Sequence, residues 1–331
     1  MMKLAKSIGV IGTGSYLPEK VLTNFDLEKM VDTSNDWILK RTGISERRIL
    51  DDDLPSNSMG IEAAKRALEN ANLQAEDIDL IIYASITDDF MTPSSACIIQ
   101  AAIGASKAIA FDISAACTGF IYAMVVAQQF IASGMYKHAL VIGCEALSKI
   151  VDWKDRNTCI LFGDGAGAVI LSEVDEGYGM LNSFLGSDGT SAMTITSPNL
   201  YVTDTEKEKR QNGKQNSLWM DGTEVFKFAV KTMSNATIRV LEELNMTVDD
   251  LQYIFPHQAN TRIIDGAIKK LGVTDDKLHY IIQKYGNISS ASIPVALDEA
   301  NREGKLKKGD NMVLVGFGGG LTWGSIALKW F

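Results

Sequence analysis

The chain carries LENANLQAEDIDLIIYAS at residues 68–85 and LEELNMTVDDLQYIFPHQ at residues 241–258. Leu, Glu, Asn and Asp recur in register in the two stretches, and an apolar run typical of a buried strand follows in both. FGDGAGAVIL at residues 162–171 is matched in the same order by FGGGLTWGSIAL at residues 317–328. Any helix–loop–strand unit shares some of this pattern, but two pairs in the same order favour an internal duplication.

The duplication predicts two similar halves, an N-terminal half at residues 1–175 and a C-terminal half at residues 176–331. Short apolar runs alternate along the chain with segments of helical periodicity at residues 61–70 and 120–133. This alternation predicts an α/β fold with buried sheets. The predicted strands are residues 8–11, 80–85, 108–113, 139–143 and 168–171.

The composition is that of an ordinary globular protein. Its 331 residues are 46% hydrophobic and 22% charged, which excludes a disordered or collagen-like chain. The net charge of −9 argues against nucleic acid as the main partner, because binding to phosphates needs an excess of basic residues. The most apolar stretch, residues 120–127, is too short to span a bilayer, and the N-terminus lacks the apolar core of a signal peptide. We therefore expect a cytoplasmic protein with no membrane partner.

Cys117 is the most informative of four cysteines, which in a chain of this length fit reduced thiols better than a disulfide scaffold. It lies in AIAFDISAACTGFIYAMVVAQQFIAS, residues 108–133, which predicts a buried strand, a turn of small residues and a long apolar helix. A helix N-terminus lowers the pKa of a thiol and offers unpaired N–H groups to an oxyanion. A buried structural cysteine is the commoner alternative, and we assign Cys97, Cys144 and Cys159 to it.

Two polar residues further along the chain could act together with Cys117. His257 follows a predicted strand in YIFPHQAN, which is a usual position for an active-site group in α/β folds. Asn287, in KYGNISSASIP, reads by itself as a turn or N-cap asparagine. His138 and His279 have polar neighbours and are expected at the surface. Without a C-x-x-C pair, a structural zinc site is not expected.

Two further segments have distinctive polarity patterns. Residues 203–217, TDTEKEKRQNGKQNS, contain almost no apolar side chain and are predicted to form a solvated loop with no assigned function. Residues 259–271, ANTRIIDGAIKKL, are predicted to form an amphipathic helix. Its predicted apolar face consists of Ile263, Ile264, Ala267, Ile268 and Leu271. Its basic residues lie outside that face, and the simplest interpretation of them is a solvated surface.

Seven segments give the chain a specific resemblance to a known family. The sequence resembles a β-ketoacyl-[acyl-carrier-protein] synthase III, the initiating condensing enzyme of type II fatty-acid synthesis in the thiolase-like superfamily, essentially from end to end. The segments are TSNDWILKRTGISERR, DISAACTGF, DRNTCILFGDGAGAV, DGTEVFKFAV, FPHQANTRI, YGNISSASIP and FGGGLTWGS. The resemblance implies a thiolase-like fold with two βαβαβαββ-type halves packed in five layers, α-β-α-β-α. It also implies decarboxylative condensation of an acyl-CoA primer with malonyl-carrier protein, through an acyl-Cys117 intermediate, in a homodimer.

The resemblance assigns roles to individual residues. Cys117, His257 and Asn287 match the family's catalytic set, and the N–H groups of Cys117 and Gly319 match its oxyanion hole. The residues that match coenzyme A contacts or the pantetheine channel are Trp37, Arg41, Arg156, Gly222, Phe226 and Asn260. Phe162 matches an acyl-pocket position. The positions that match the dock for the acidic carrier protein are Lys227, Arg262, Lys269 and Lys270. No metal or redox cofactor is implied, since acyl-CoA is a substrate.

One departure from the family pattern concerns the acyl pocket. Many relatives carry a Phe-Pro-Ser segment whose Phe closes the pocket, often across the dimer interface, whereas this chain reads DDFMTPSSACIIQ with Thr92 before Pro93. Phe90 or Met91 could fill the space, so the sequence leaves the preferred acyl chain open. A divergent condensing enzyme of secondary metabolism, with another acyl donor, is the alternative function. A papain-like protease also orders Cys, His and Asn, but the chain lacks its C-G-S-C-W context.

Overall fold

The structure is a computed structural model that describes residues 6–198 and 217–331. Its strands are β1 (Ile8–Tyr16), β2 (Val21–Thr23), β3 (Glu46–Arg48), β4 (Leu80–Ala84), β5 (Ile109–Ile113), β6 (Ala139–Ala146), β7 (Asp164–Glu173), β8 (Gly179–Ser187), β9 (Ile195–Thr196), β10 (Trp219–Met220), β11 (Tyr253–Pro256), β12 (Asn311–Gly318) and β13 (Thr322–Lys329). Its α-helices are α1 (Asn24–Leu27), α2 (Asn35–Thr42), α3 (Asn57–Ala71), α4 (Ser95–Ile103), α5 (Gly119–Ala132), α6 (Gly222–Glu242), α7 (Thr261–Leu271), α8 (Ile282–Tyr285) and α9 (Ser292–Arg302). The polar segment 203–217 lies outside the described residues except for Ser217. Among the helices of the described segments, none is both long and apolar enough to cross a membrane.

The first sheet uses strands from the first half of the chain, in the order β1–β7–β6–β4–β5. Strand β4 is parallel to both β5 and β6, and β7 is antiparallel to β6 and β1. Each of the five predicted strand segments matches one of these five strands, with residues 85 and 108 lying just outside β4 and β5, so the strand prediction is confirmed. The apolar runs were visible in the sequence because both faces of this sheet are covered, which leaves little place for polar side chains.

The second sheet repeats this arrangement in the order β11–β12–β13–β8. Strand β11 is parallel to β12, while β13 is antiparallel to β12 and β8. Beside β11, an isolated parallel bridge between Ile254 and Leu278 occupies the place that β5 has beside β4. Strands of the first sheet end at Glu173 and those of the second begin at Gly179. This separation supports the proposed boundary near residue 175.

Helices cover both sheets and fill the space between them. Helices α3 and α4 pack on the outer face of the first sheet, and α6 and α7 pack on the outer face of the second. Helices α5 and α9 lie between the sheets in one shared core. Alternate residues of β4 serve the two sides, since Leu80 and Ile82 face the shared core while Ile81 and Tyr83 face the outer helices. The result is the five-layered α-β-α-β-α thiolase-like fold that the resemblance implied.

The repeated Asn and Asp residues form the same turn in both halves. Asn72 ends α3 with φ +53°, and Asn245 follows α6 with φ +55°. Asparagine tolerates this left-handed conformation better than other side chains except glycine. A 3₁₀ turn follows in each half, where the carboxylates of Asp77 and Asp250 accept a backbone N–H three residues earlier. The recurring residues are therefore those that direct a helix into the next buried strand.

Two histidines lie elsewhere than the sequence suggested. His138 and His279 were expected at the surface, but only 8% and 7% of their areas are exposed. His138 directly precedes the buried strand β6, and its backbone N–H donates to the Asp79 carboxylate at 3.1 Å, while its neighbour Lys137 remains exposed. His279 Nδ1 lies 3.3 Å from the Lys305 ammonium. Polar sequence context therefore marked buried polar contacts here and did not mark exposure.

The contact between β1 and α3 predicts a sensitive glycine. A Cβ added at Gly14 would lie 2.3 Å from the Ala63 carbonyl oxygen and 2.4 Å from the Ala67 amide nitrogen. We expect Gly14→Ala to lower the free energy of unfolding by about 1–3 kcal/mol, because rigid backbone must move. Gly189→Ala is the control, since a Cβ there meets no atom within 4 Å. Equal melting temperatures for the two variants in thermal denaturation would contradict the tight contact.

Candidate active site

One cavity of about 160 Å³ collects residues from both halves of the chain. Cys117, His257 and Asn287 all line it, although they are far apart in sequence. The site residues predicted from the sequence that line this cavity are Cys117, Phe162, Gly222, Phe226, His257, Asn260, Asn287 and Gly319. The cavity therefore brings a nucleophile, an imidazole and an amide to the same small space.

Cys117 lies in the 3₁₀ turn of residues 116–118 that leads directly into α5. The preceding residue, Ala116, has φ +47°, a strained conformation for a residue with a side chain. Burial raises the pKa of the Cys117 thiol to about 12, against the opposing effect of a hydrogen bond from Ser289. The expectation that the helix N-terminus lowers this pKa is therefore wrong. Desolvation of the thiolate outweighs the helix end, and the thiol is neutral at pH 7.

His257 directly follows β11, and three contacts fix its position. Its backbone N–H donates to the Val315 carbonyl oxygen at 2.7 Å. Its Nδ1 lies 3.2 Å from the Ser292 hydroxyl, and its ring packs edge-on against Phe317 with 5.3 Å between centroids. With Nδ1 engaged, Nε2 is the ring nitrogen left for a ligand in the cavity. Burial lowers the pKa of His257 to about 3, so the imidazole is neutral at pH 7.

Asn287 is held by its backbone and by its side-chain oxygen. Its N–H donates to the Leu161 carbonyl oxygen at 2.8 Å, and its carbonyl oxygen accepts the Gly163 N–H at 3.1 Å. Its Oδ1 accepts the Ser289 backbone N–H at 2.9 Å. Because that oxygen is occupied, the side-chain NH₂ group is the part of the amide left to act in the cavity. Asn287 is thereby prepared as a hydrogen-bond donor.

Glycine allows β12 to approach the nucleophile closely. A Cβ added at Gly318 would lie 2.8 Å from the Cys117 backbone nitrogen, so only glycine fits without a shift. Gly319 follows immediately and lines the cavity. The N–H of Cys117 is at the start of a helix, where backbone N–H groups lack intrahelical acceptors. These two N–H groups are the candidates for holding a negatively charged oxygen.

Aromatic and basic side chains lie near the same region but outside the cavity lining. The Trp37 ring has a guanidinium on it from each of two arginines, with the carbon Cζ of Arg41 at 5.3 Å and that of Arg156 at 5.1 Å from the ring centroid. Arg156 also donates to the Asp32 carbonyl oxygen at 2.8 Å. The end of α2 lies against the start of α7, where a Cβ at Gly43 would meet Thr261 at 2.2 Å.

The start of α7 forms one wall of the cavity. The Asn260 side chain caps this helix by accepting the Arg262 backbone N–H at 2.9 Å. The Arg262 guanidinium lies 5.7 Å from the centroid of the Phe226 ring, which itself lines the cavity. Helix α7 buries the apolar face predicted from the sequence and leaves Arg262, Lys269 and Lys270 exposed. Arg262 is therefore adjacent to the cavity, while Lys269 and Lys270 lie in the last turn of the same helix, and all three are open to solvent.

Thr92 and Lys227 are two further predicted site residues that do not line the cavity of the single chain. Thr92 is exposed and does not line the cavity, and Phe90 and Met91 beside it are 57% and 69% exposed. Neither of these two larger side chains fills the acyl pocket of its own chain. Lys227 is also exposed, with its ammonium 2.8 Å from a Glu224 carboxylate oxygen.

Sequence reasoning missed three residues that shape the site. Ser289 and Ser292 contact the candidate catalytic side chains, and Glu145 is fully buried beneath Ser289. A signal was present for each. The two serines belong to GNISSASIP, the same segment that contains Asn287. Glu145 is an acidic residue in the otherwise apolar strand ALVIGCEA. A charged residue in a buried strand requires a specific set of hydrogen-bond partners.

One cluster outside the cavity has residue types that could hold a metal. His279, Glu299 and Glu303 have potential ligand atoms within 4.8 Å of one another. The Lys305 ammonium lies 2.7 Å from a Glu303 oxygen and 3.3 Å from His279 Nδ1. Lysine thus provides the positive charge in this cluster, and the cluster is explained as a network of ion pairs.

Comparison with known proteins gives a consistent result. The model of the family "3-Oxoacyl-[acyl-carrier-protein (ACP)] synthase III" matches residues 111–189, and the model of its C-terminal part matches residues 241–330. The chain is 55% identical over 322 residues to a β-ketoacyl-[acyl-carrier-protein] synthase III of Caldanaerobacter subterraneus subsp. tengcongensis, covering 97% of both chains. The chain belongs to the 3-oxoacyl-[acyl-carrier-protein] synthase III family.

Solved structures of synthase III proteins agree with this membership. The crystal structure of 3-oxoacyl-[acyl-carrier-protein] synthase III from Aquifex aeolicus is similar with a TM-score of 0.91 and 46% identity, covering 98% of this chain and all of that one. The priming β-ketosynthase of the R1128 polyketide biosynthetic pathway gives the same TM-score at 35% identity, covering 98% of this chain and 96% of that one. The synthase III fold is therefore shared with a protein of a polyketide pathway.

The buried environment of His257 predicts the pH range over which its imidazole ring stays neutral. Because burial lowers the pKa of His257 from 6.5 to about 3, its ring should remain neutral from pH 8 down to about pH 5. In the unfolded chain this imidazole binds a proton near pH 6.5, whereas in the folded chain it does not. Below pH 6.5 the proton therefore favours the unfolded state, and the free energy of unfolding decreases. The chain has three histidines, so NMR of the imidazole resonances, with His257→Ala for assignment, can follow each ring. A midpoint near 6.5 for the His257 ring would contradict this environment.

Proposed function

We propose that this chain catalyses the decarboxylative condensation of an acyl-CoA primer with malonyl-[acyl-carrier-protein], through an acyl-Cys117 intermediate. The product is a 3-oxoacyl-[acyl-carrier-protein], and the reaction initiates type II fatty-acid synthesis. The observation that carries the proposal is the single cavity lined by a thiol, a neutral imidazole and an amide fixed as a donor. The 55% identity to a β-ketoacyl-[acyl-carrier-protein] synthase III supports the same reaction.

In the first half-reaction, the Cys117 sulfur forms a bond to the thioester carbon of acyl-CoA. The bond from that carbon to the coenzyme A sulfur breaks, and the thiol proton leaves with coenzyme A. Because the free thiol is neutral, its proton must leave as the thioester arrives, and the departing coenzyme A thiolate can take it. The N–H groups of Cys117 and Gly319 would hold the oxyanion of the tetrahedral intermediate.

In the second half-reaction, the malonyl carbon–carbon bond breaks and CO₂ leaves. The electron pair forms a thioester enolate, whose oxygen would accept hydrogen bonds from His257 Nε2–H and from the Asn287 NH₂ group. This role requires the proton of the neutral imidazole on Nε2, and a Ser292 hydroxyl that donates to Nδ1 stabilises that tautomer. The enolate carbon then attacks acyl-Cys117, and the thiolate leaves and recovers a proton.

We propose that Trp37, Arg41 and Arg156 bind the nucleotide end of coenzyme A. Two guanidinium groups on one indole ring form a cationic, aromatic surface suited to a nucleotide. Residues along the cavity would then line the pantetheine channel that leads to Cys117. These channel residues are Gly222, Phe226 and Asn260.

We propose that the acyl group of the primer lies in the part of the cavity lined by Phe162. We propose that Thr92 contributes to this pocket from a second copy of the chain, because it lies outside the cavity of its own chain. With Thr92 in place of a Phe, longer or branched acyl groups should be accepted beside acetyl.

A condensing enzyme of secondary metabolism with another acyl donor is the second candidate function, favoured by the 35% identity to the R1128 priming β-ketosynthase. The higher identities, 55% and 46%, to proteins named acyl-carrier-protein synthase III favour the fatty-acid condensation proposed above.

The proposed reaction needs no metal or redox cofactor, because the sulfur, the hydrogen-bond donors and the loss of CO₂ supply its chemistry. We propose that a homodimer carries it out in the cytoplasm. The four cysteines are unpaired, as expected for reduced thiols in that compartment.

Incubation with a panel of acyl-CoAs tests the proposed function directly. We expect intact-mass measurement to show one acyl group added per chain, with acetyl and with longer or branched primers. Peptide mapping should place the adduct on Cys117, since it lines the cavity whereas Cys144 and Cys159 are buried elsewhere. An adduct on the exposed Cys97, or no adduct with any primer, would contradict the proposal.

Asn287→Asp tests the donor role of the amide. The substitution keeps the oxygen that accepts the Ser289 N–H and replaces the NH₂ donor with an acceptor that repels the enolate. We expect decarboxylation of malonyl-carrier protein to fall by about 10²–10³ while acylation of Cys117 falls much less. Asn70→Asp is the matched control, because Asn70 Oδ1 also accepts a backbone N–H, at 2.9 Å from Thr13. Equal losses in both half-reactions would argue against separate roles.

Arg262→Glu tests the proposed dock for the carrier protein. Arg262 beside the cavity, and Lys269 and Lys270 at the far end of the same helix, are exposed on a chain with net charge −9, so they can attract an acidic protein locally. We expect the variant to raise KM for malonyl-carrier protein, with acylation by free acyl-CoA nearly unchanged. The wild-type KM should also rise with salt, since the Debye length shortens to about 8 Å near physiological ionic strength.

Lys65→Glu on α3 is the control for the change in net charge, because α3 covers the outer face of the first sheet. If Arg262→Glu and Lys65→Glu gave the same KM for the carrier protein, Arg262 would have no docking role.

A further inference from the structure

Glu145 is a buried carboxylate for which the reaction above has no use. It lies near the end of β6, has no exposed area, and forms no ion pair with a basic residue of the described chain. A buried charge without an ionic partner is costly unless hydrogen bonds satisfy it. Glu145 therefore needs an explanation from the groups around it.

Five donors surround this carboxylate, and they come from both halves of the chain. Donors to Oε2 are the Thr87 hydroxyl at 2.9 Å, the Ile86 N–H at 3.2 Å and the Ser85 hydroxyl at 3.3 Å. Donors to Oε1 are the hydroxyls of Ser289 at 3.0 Å and Ser290 at 3.1 Å. The Ser290 hydroxyl is also 3.0 Å from the Ala84 carbonyl oxygen. One carboxylate thus joins the end of β4 to the turn that precedes α9.

Ser289 connects this carboxylate to both reacting groups. Its backbone N–H donates to Asn287 Oδ1 at 2.9 Å, which fixes the direction of the amide. Its hydroxyl donates to Glu145 at 3.0 Å, and Ser289 also acts to lower the pKa of the neighbouring Cys117 thiol. Its φ of +48° is strained for serine, so surrounding contacts must hold it. The bond to Glu145 is the charge-assisted contact of this side chain.

We propose that Glu145 is a positioning residue of the active site: it holds the Ser289 turn, and through it the Asn287 amide and the Cys117 thiol, in the geometry of condensation. The proposal rests on the proposed function for its kinetic consequences. Glu145 lies beneath the cavity lining and does not touch substrate, so its effect is carried by Ser289.

Charge gives Glu145 a second effect that can be measured without substrate. The ionisable groups that interact with it are Cys117, Cys144 and Tyr83. Burial raises the pKa of Glu145 to about 7, and its negative charge raises the pKa of Cys117. A neutral side chain of the same shape should therefore make the Cys117 thiolate easier to form.

Glu145→Gln separates these effects from a general loss of stability. We expect the rate of Cys117 alkylation by iodoacetamide at pH 8 to rise by about tenfold, which corresponds to one pKa unit. Acylation by acetyl-CoA should be retained, while kcat for condensation falls by about tenfold with little change in KM for malonyl-carrier protein. A merely structural residue would lower both half-reactions together and leave the pH profile of alkylation unchanged.

Ser289→Ala provides a second variant that keeps the charge and removes the connection. We expect it to lower condensation as Glu145→Gln does, without the rise in alkylation. Ser85→Ala is the matched control, because it removes a donor from Oε2 and leaves the Ser289 contact intact. If Glu145→Gln fails to fold, Ser289→Ala against Ser85→Ala still decides the positioning role.

Wild-type condensation and a wild-type alkylation profile in both Glu145→Gln and Ser289→Ala would overturn the proposal. Wild-type protein that forms no acyl-Cys117 would instead contradict the proposed function, while the alkylation comparison would still test the charge of Glu145.

Discussion

The cost of burying charge governs this active site. The cavity lies next to the core shared by two sheets, where water cannot solvate an ion. Burial raises the pKa of Cys117 and Glu145 and lowers that of His257, which shifts all three toward their neutral forms. A site of this kind holds little fixed charge before the substrate arrives. It is suited to a reaction in which negative charge develops on an enolate and then passes to sulfur, where it is neutralised by a proton.

Hydrogen bonds, and not fixed charges, orient the side chains of this site. In each candidate donor side chain, the second polar atom already has a partner. Asn287 Oδ1 accepts the Ser289 N–H, and His257 Nδ1 contacts the Ser292 hydroxyl. The groups left free are therefore those that stabilise an oxyanion. Because these partners are fixed by the backbone or by buried side chains, little reorganisation is needed when charge develops. Such preorganised donors act strongly in a site from which water is excluded.

Much of this arrangement could be predicted from the sequence, and the remainder depends on contacts between distant segments. The five strand segments of the first sheet were predicted because burial on both faces leaves apolar runs in the chain. The shift in the pKa of Cys117 was predicted in the wrong direction. The start of a helix can be recognised from neighbouring residues, but the burial of this thiol depends on β12 and the Ser289 turn, which are distant in sequence. His138 and His279 were misplaced for the same reason. Glu145 was overlooked because its donors come from two distant parts of the chain.

The proposed duplication accounts for the strain at the centre of the site. Ala116 begins the 3₁₀ turn before α5, and Ser289 begins the 3₁₀ turn before α9, each with a φ near +48°. Their separation in sequence equals that of Leu68 and Leu241 in the repeated stretches. Both helices lie in the layer between the sheets, so the two strained turns meet at the cavity.

The halves differ at the next residue, which is Cys117 in one turn and Ser290 in the other. The first side chain lines the cavity, while the second binds the Glu145 carboxylate and the Ala84 carbonyl oxygen. A symmetric pair of turns therefore became asymmetric in chemistry. One turn presents the proposed nucleophile, and its counterpart supports Asn287, which is proposed to stabilise the enolate that attacks the acyl group on that nucleophile.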